Sequence, residues 1–394
     1  MRTFTVRERR ARLARRHFLA EEPAGDPIGA VISDLVGLHA TDPATPYLSL
    51  WARVPGFTVR DLDEQLYERR SVVKHLAMRR TLWLVCADDL ATIQAGASDR
   101  VADNEWRRLV ADVEKAGIAA DGANWLDRAC AAVLRHLAGT GPASTSQLRA
   151  ALPELDGKYD PAPGKPWGGE THLAPRVFTI LGVRGDIVRG PNDGMWNASR
   201  HRWVTHAEWF GAPLQAIPVQ TARANLVRRW LHAFGPATVT DIKWWFGSTL
   251  TAARQALRDI HAVEVDLGGV AGYALPDELD DEADTEPWAA LLPGLDVTAM
   301  GWADRDWYLG PHRTSIFDRN GNAGPTAWWN GRVVGGWRQD DGGKVAVQLL
   351  EDPGRDAERA LQRKAEDLSA WLDGVRIAPR FPSPLSKTAL LKQD

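Results

Sequence analysis

Two short stretches of this chain set chemically able side chains at the ends of apolar runs. In Val36-Gly37-Leu38-His39-Ala40-Thr41-Asp42-Pro43 an imidazole, a hydroxyl and a carboxylate follow within four positions. In Met78-Arg79-Arg80-Thr81-Leu82-Trp83 two guanidiniums and a hydroxyl do the same. An imidazole and a hydroxyl on one side of an extended segment can orient a water or hydrogen-bond a base edge. His39 and Thr41 stand in that relation, because alternate residues of a strand share a face, while Ala40 and Asp42 point the other way. Asp42 joins them only if the turn rotates it inward. Guanidinium forks match phosphate oxygens, which makes Arg79 and Arg80 candidates for a nucleic-acid backbone. The structural alternatives are that His39 and Asp42 cap a helix and close a turn, and that Arg79-Arg80 form a salt-bridged strand edge. Catalysis requires His39 and Thr41 to open together into a basic cleft.

Other chemistries lack their residues. No CxxC or HExxH spacing is present. His206-Ala207-Glu208 is half of a zinc-deaminase signature, but no Pro-Cys-x-x-Cys follows it. Neither a Walker loop nor a GxSxG elbow occurs. No metal or cofactor is therefore expected. Cys86 and Cys130 both lie in apolar settings, which argues against a disulfide framework. No apolar run approaches the roughly 18 residues that cross a bilayer, and the N-terminus lacks a secretory apolar run. The expected location is cytoplasmic, nucleoid-associated in a bacterium, with no membrane partner.

Charge is partitioned along the 394 residues, although the net value is only −3. Residues 1–20 hold seven arginines against one glutamate, and residues 277–286 hold seven acids and no base. Without that acidic segment the remainder is +4, so a basic face on a nominally acidic protein is permitted. The alternative is a solvated helix face and an acidic linker. Tryptophan is over-used, 18 against 9 Phe and 5 Tyr, and most of these rings belong in cores. One ring of each pair, Trp244-Trp245 and Trp328-Trp329, is expected to be more exposed.

The elements that must position these groups repeat. Val133-Leu134-Arg135-His136-Leu137, then Gly141-Pro142-Ala143-Ser144, has a later counterpart in Val227-Arg228-Arg229-Trp230-Leu231, then Gly235-Pro236-Ala237-Thr238. In both, Gly-Pro stops a helix and a Ser/Thr hydroxyl caps the next. A third helix (about 174–182, or 250–260) and a strand hairpin follow each pair. Helices at about 6–20, 27–38 and 61–69, with strands near 72–76 and 81–86, give the N-terminal region the same plan. Three helices and a two-stranded wing make a winged helix. From residue 288 the pattern changes to short strands broken by Asn320-Gly321, Asn330-Gly331 and Asp341-Gly342-Gly343, followed by a helix at about 355–372 and a basic tail. The domains read as 1–115, 120–210 and 215–276 (winged helices), 277–287 (acidic linker) and 288–394 (a small antiparallel sheet or barrel with its helix).

Beyond these patterns, Gly37-Leu38-His39-Ala40-Thr41-Asp42-Pro43 with Tyr47-Leu48-Ser49-Leu50-Trp51-Ala52-Arg53 and Met78-Arg79-Arg80-Thr81-Leu82-Trp83-Leu84-Val85 resembles the winged-helix DNA-binding family of the AlkZ/YcaQ type. Leu291-Leu292-Pro293-Gly294-Leu295-Asp296 and Asn330-Gly331-Arg332-Val333-Val334-Gly335-Gly336-Trp337 extend the resemblance over nearly the whole chain. It implies an α+β fold of three tandem winged helices and a C-terminal β-barrel, arranged as a C around duplex DNA. It also implies a monofunctional DNA glycosylase that removes bulky alkylated purines or unhooks interstrand crosslinks without a metal. The family's catalytic motif, Gln-apolar-Gln or Gln-apolar-Asp, falls on His39-Ala40-Thr41, where neither polar residue matches. Thr41 anchors a water more weakly than Gln or Asp and offsets no positive charge, a task left to Asp42. A cationic alkylated purine is already a good leaving group, so weak assistance suffices.

The resulting expectation is a monomeric enzyme acting on damaged double-stranded DNA. His39 hydrogen-bonds the lesion or the water, and Thr41 and Asp42 orient the water. Arg79, Arg80 and Thr81 grip the backbone, with Arg9, Arg12 and Arg16 of the basic helix and Arg332 as further contacts. The alternative is a non-catalytic winged-helix protein, a regulator or a lesion-shielding factor.

Overall fold

The computed structural model describes residues 1–162, 164–165 and 168–387. The chain forms two compact units, one of residues 63–223 and one that joins 1–62 to 224–394. The end of the expected basic tail lies outside the described residues.

In the unit of residues 63–223, strands Val72–Leu76 and Leu82–Cys86 pair antiparallel, Val72 opposite Cys86 and Leu76 opposite Leu82. A short helix, Leu90–Ile93, runs through a π-helical turn at Gln94–Ser98 into a long helix, Asp99–Lys115. Helices Gly122–Thr140, Thr145–Ala151 and Ala174–Val183 then precede the hairpin Ile187–Asn192/His201–Thr205. Gly141, at φ +78°, ends the first of these helices, and a capping box between Ser144 and Gln147 starts the second. Their apolar faces bury Leu126, Val133, Leu137, Phe178 and Leu181 completely or nearly so. Each such side chain contributes about 1.5–3 kcal/mol by leaving water. Trp203 of the hairpin stacks on Phe178 at 5.9 Å, tying strand to helix.

The other unit repeats this order. Helix Val219–Phe234, most of which lies in this unit, and helices Val239–Phe246 and Leu250–Asp259 lead to the hairpin Val263–Asp266/Ala271–Ala274. Thr238 and Asp241 form the capping box at the position that Ser144 and Gln147 hold in the first copy. Three helices from the N-terminal segment, Val6–Arg16, Pro27–Asp34 and Thr45–Trp51, belong to this unit as well. Its core explains much of the tryptophan use: Trp230 stacks on Phe234, which also meets Trp245 and Trp302, and Tyr308 stacks on Trp328. Trp328 and Trp245 are buried, while their neighbours Trp329 and Trp244 are only partly so. The second pair sits on a helix, however, not on a strand.

The C-terminal strands correct one expectation. Ala289–Leu292, Thr326–Trp329, Arg332–Gln339 and Val345–Leu349 form an open antiparallel sheet in that order, and among the described residues no closed barrel is found. The first and last of these strands share no hydrogen-bonded edge, so the sheet stays open. Helix Arg355–Leu372 covers the sheet instead, packing on its first, second and last strands. Asn330 and Gly331, both at positive φ, make the tight turn between the second and third strands. Among the described residues, no helix is long and apolar enough to cross a membrane.

Candidate functional site

Helix Pro27–Asp34 stops where Val36 and Gly37 take φ values of +58° and +104°. The chain leaves as the short strand Leu38–His39 and turns at Asp42-Pro43 into helix Thr45–Trp51. The strand turns the His39 imidazole inward, leaving it 3% exposed. Its Nδ1 accepts the Thr41 backbone N–H at 3.4 Å, a long contact. Thr41 itself is partly exposed. His39 is thus buried and braces the backbone of the turn, while Thr41 beside it is partly exposed.

Asp42 has two tasks. Its Oδ1 accepts the Ala44 N–H at 3.1 Å, closing the turn as the structural alternative expected. Its Oδ2 accepts the Arg380 N–H at 2.9 Å, while the Arg380 guanidinium donates to the Thr41 carbonyl at 3.3 Å. Asp42 also lines a cavity of about 250 Å³, walled by Leu48, Pro293, Trp337 and Ile377 and edged by Arg338. The turn thus delivers Asp42 to a concave surface despite its alternation in the sequence.

The helix after this turn is anchored by buried polar contacts. Thr45, Ser49 and Arg53, spaced four apart, share one face. Thr45 Oγ1 donates to the Gly294 carbonyl at 2.7 Å, and Ser49 Oγ donates to Asp296 Oδ2 at 2.7 Å. Arg53 clamps Asp296 through two bonds of 2.9 and 2.8 Å and donates also to Thr298 and to the carbonyls of His17 and Ser49. Both partners are fully buried. Burial pushes the Asp296 carboxyl up, but Arg53 outweighs it and holds the group below the usual carboxylate range. Burial, aided by Arg53, pushes His17 down to about 3, so that ring is neutral. This Arg53–Asp296 clamp carries the site segment yet stood outside the expected site residues. Its signal was the Thr45/Ser49/Arg53 spacing.

In the other unit, Met78–Arg80 form one tight turn between the strands of the first hairpin. Arg79 and Arg80 both hold left-handed backbone, at φ 54° and 62°. For residues with a Cβ each such conformation costs about 1–3 kcal/mol and gathers at functional positions. The Arg80 side chain is 58% exposed and meets Glu105 at 3.3 Å, a carboxylate shared with Arg108. Arg79 is partly buried. The Thr81 hydroxyl donates to the Met78 carbonyl at 2.8 Å and accepts from Trp83 Nε1 at 2.9 Å, so it fastens the turn.

The basic N-terminal helix is bound to the acidic segment. Arg12, 3% exposed, pairs with Glu282 at 3.0 Å and donates to the Glu278 carbonyl at 2.6 Å, with its guanidinium over Phe4. Arg16 pairs with Glu278 at 2.6 Å, Arg15 with Glu282, and Arg7 with Asp284. Arg9 lies 4.2 Å over the Trp307 ring. Arg332 pairs with Glu351 at 2.9 Å. These guanidiniums are committed within the unit, and the two charge runs are one seam. Among the described residues, no group of three His, Cys, Asp or Glu could hold a metal ion.

The model of the AlkZ-like family, described as DNA glycosylase AlkZ-like, matches residues 32–371. Among curated proteins no relative matches the sequence. Among solved structures, the chain is similar to the DNA glycosylase AlkZ of Streptomyces sahachiroi, at 22% identity and a TM-score of 0.74. The match covers 97% of this chain and 99% of that one, so the mixed α+β fold is shared end to end.

Proposed function

The chain belongs to the AlkZ-like DNA glycosylase family, and from that premise we propose that it hydrolyses the N-glycosidic bond of alkylated or crosslinked purines in duplex DNA. The observation that carries this reading is that Thr41, at the last position of the family motif, is partly exposed, and Asp42 next to it lines a cavity. Thr41 Oγ1 holds the attacking water, and Asp42 faces the positive charge that develops on the sugar as the purine leaves. The water oxygen bonds to the anomeric carbon, the glycosidic pair leaves with the base, and the released proton passes to Asp42 or solvent. His39 is a positioning residue, because its imidazole reaches the reaction through the Thr41 backbone. Arg79 and Arg80 contact phosphate from their strained corner. The three helices with a hairpin, repeated along the chain, read as winged helices with the boundaries given above, acting as a monomer on damaged duplex.

Incubation of N7-alkylated duplex with purified protein tests this. Asp42→Asn and Thr41→Val should lower base release by about 10²-fold with duplex affinity retained. His39→Ala should lower it less. A second reading, a non-catalytic lesion-binding protein, draws on the buried imidazole and on the Asp42–Arg380 contact. Binding of the modified duplex without any abasic product would establish it and overturn the first.

A further inference from the structure

We propose that Arg380, on a segment beyond the last long helix, is a positioning residue for base release, holding the Thr41–Asp42 turn from outside it. This role rests on the glycosylase reading of that turn. Residues 375–387, which supply it, lie past residue 371, where the match to the AlkZ-like family ends.

The segment reaches the turn as a stiff strap fixed at both ends. Near its start it is bound twice by Gln339, the last residue of strand Arg332–Gln339. Gln339 Nε2 donates to the Val375 carbonyl at 2.9 Å, and its Oε1 accepts the Ile377 N–H at 2.8 Å. The Arg376 guanidinium donates to the carbonyls of Asp340 and Asp341. At the far end Ser383 is fully buried and Leu385 nearly so. Two glycines make room for them. A Cβ on Gly324 would collide with the Ser383 side chain, and one on Gly336 would lie 2.8 Å from Leu385 Cδ2. Along the strap stand Pro379, Pro382 and Pro384, each of which fixes its own φ and restricts the residue before it. A strap with so few conformations loses little entropy when it docks.

Arg380 stands between the two anchored ends and touches the turn twice. Its backbone N–H donates to Asp42 Oδ2 at 2.9 Å, and its guanidinium donates to the Thr41 carbonyl at 3.3 Å. With the Ala44 N–H on Oδ1, each carboxylate oxygen of Asp42 has a donor from the backbone. A carboxylate oxygen can accept two hydrogen bonds, so each keeps capacity for a water or a substrate group. Asp42 is 9% exposed, so the aim of its carboxylate decides what it meets.

The choice of donor matters. A guanidinium bonded to Asp42 would offset the negative charge that is needed as the sugar becomes cationic. A backbone amide carries no net charge, so it fixes the carboxylate and leaves its charge in place. The guanidinium is used one residue earlier, on the peptide that joins Thr41 to Asp42. Supporting groups of this kind hold a reacting group within about 0.5 Å of its productive place. Where the family motif has Gln or Asp, this chain has Thr41, and its carboxylate follows one residue later. The strap sets that displaced carboxylate.

The test measures single-turnover base release from N7-alkylated duplex by the full chain, with duplex affinity and melting temperature read alongside. Arg380→Pro removes the N–H on Asp42 and should slow release about tenfold, the worth of one hydrogen bond. Arg380→Ala keeps that N–H and should slow release about threefold, with Arg380→Lys restoring most of the loss. Affinity and melting temperature should stay as in the wild type. Because Arg380 acts through Asp42, adding Arg380→Pro to Asp42→Asn should cost less than about twofold. Arg380→Ala changes an exposed side chain, so it decides the matter if the proline variant does not fold. Unaltered release in the Arg380 variants would overturn the proposal and leave the glycosylase reading standing. A loss of duplex affinity at an unaltered rate would also overturn it, by making Arg380 a DNA contact. No release by the wild type would sink the glycosylase reading, and this role with it.

Discussion

The N-terminal helix and the corner between the first two hairpin strands are both arginine-rich, and they use arginine in opposite ways. On the helix, Arg12 and Arg16 neutralise Glu278 and Glu282, and Arg9 covers a tryptophan face. At the corner, Arg80 is largely exposed on a backbone held in a left-handed conformation. The density of positive charge along a sequence therefore does not locate a surface open to phosphate. Both regions pair guanidiniums with carboxylates, and what separates them is burial: Arg12 is 3% exposed, whereas the Arg80 side chain, which also meets Glu105, is 58% exposed.

Substitutions can break or sharpen this contrast. The largest effect is expected at Arg53→Ala, which leaves Asp296 buried and unpaired: a loss of about 3–5 kcal/mol of stability, read by denaturant unfolding. Unchanged stability would mean that the interior clamp is not what holds the site helix. Next, Arg12→Ala should cost about 1.5–3 kcal/mol, the worth of hydrogen bonds to charged groups, with duplex affinity unaltered. A weakened affinity at intact stability would place the helix on the DNA-binding side of the comparison.

Acid should then loosen the helix seam in two stages. His17, which closes the N-terminal helix, is held neutral by burial, down to about 3 from its ordinary 6.5. The unfolded chain takes up the proton first, so stability is whole above pH 6.5 and falls by up to about 1.4 kcal/mol per pH unit below it. Burial raises the Glu278 carboxyl, but His232 and Arg16 outweigh it and hold the group below its ordinary 4.5. Its contribution is present above pH 4.5 and is lost as pH falls through the lowered value. Melting temperatures at stepped pH check both, and a flat profile from pH 7 to 5 would remove His17 from the account.

The smallest stability change, within about 0.5 kcal/mol, is expected at Arg80→Ala on the surface. Its signature lies in binding: the slope of log affinity against log salt should shrink by about 0.9, one phosphate contact. An unaltered slope would deny the corner its role.

Local chemistry was readable in the sequence and distant pairing was not. The Gly-Pro breaks with their Ser144 and Thr238 caps, the first hairpin and helix Arg355–Leu372 follow from neighbours a few positions apart. The inward turn of His39, the Arg380 contact on Asp42 and the seam between residues 7–16 and 278–284 depend on partners that only folding brings near. The open sheet shows the same limit, since strand alternation and Asn-Gly turns do not state how many strands close on one another. The helix end before Gly37 and the turn at Asp42-Pro43 were legible, whereas the partners of His39 and Asp42 required the fold itself.

The seam has a further consequence. To the N-terminal helix, the segment around Glu278–Asp284 is a polyanion already seated on it by the fold. A nucleic acid in bulk solution would have to displace it before reaching those arginines. The chain thus carries its own competitor, which insulates the helix from indiscriminate polyanions without lowering the number of positive charges it bears.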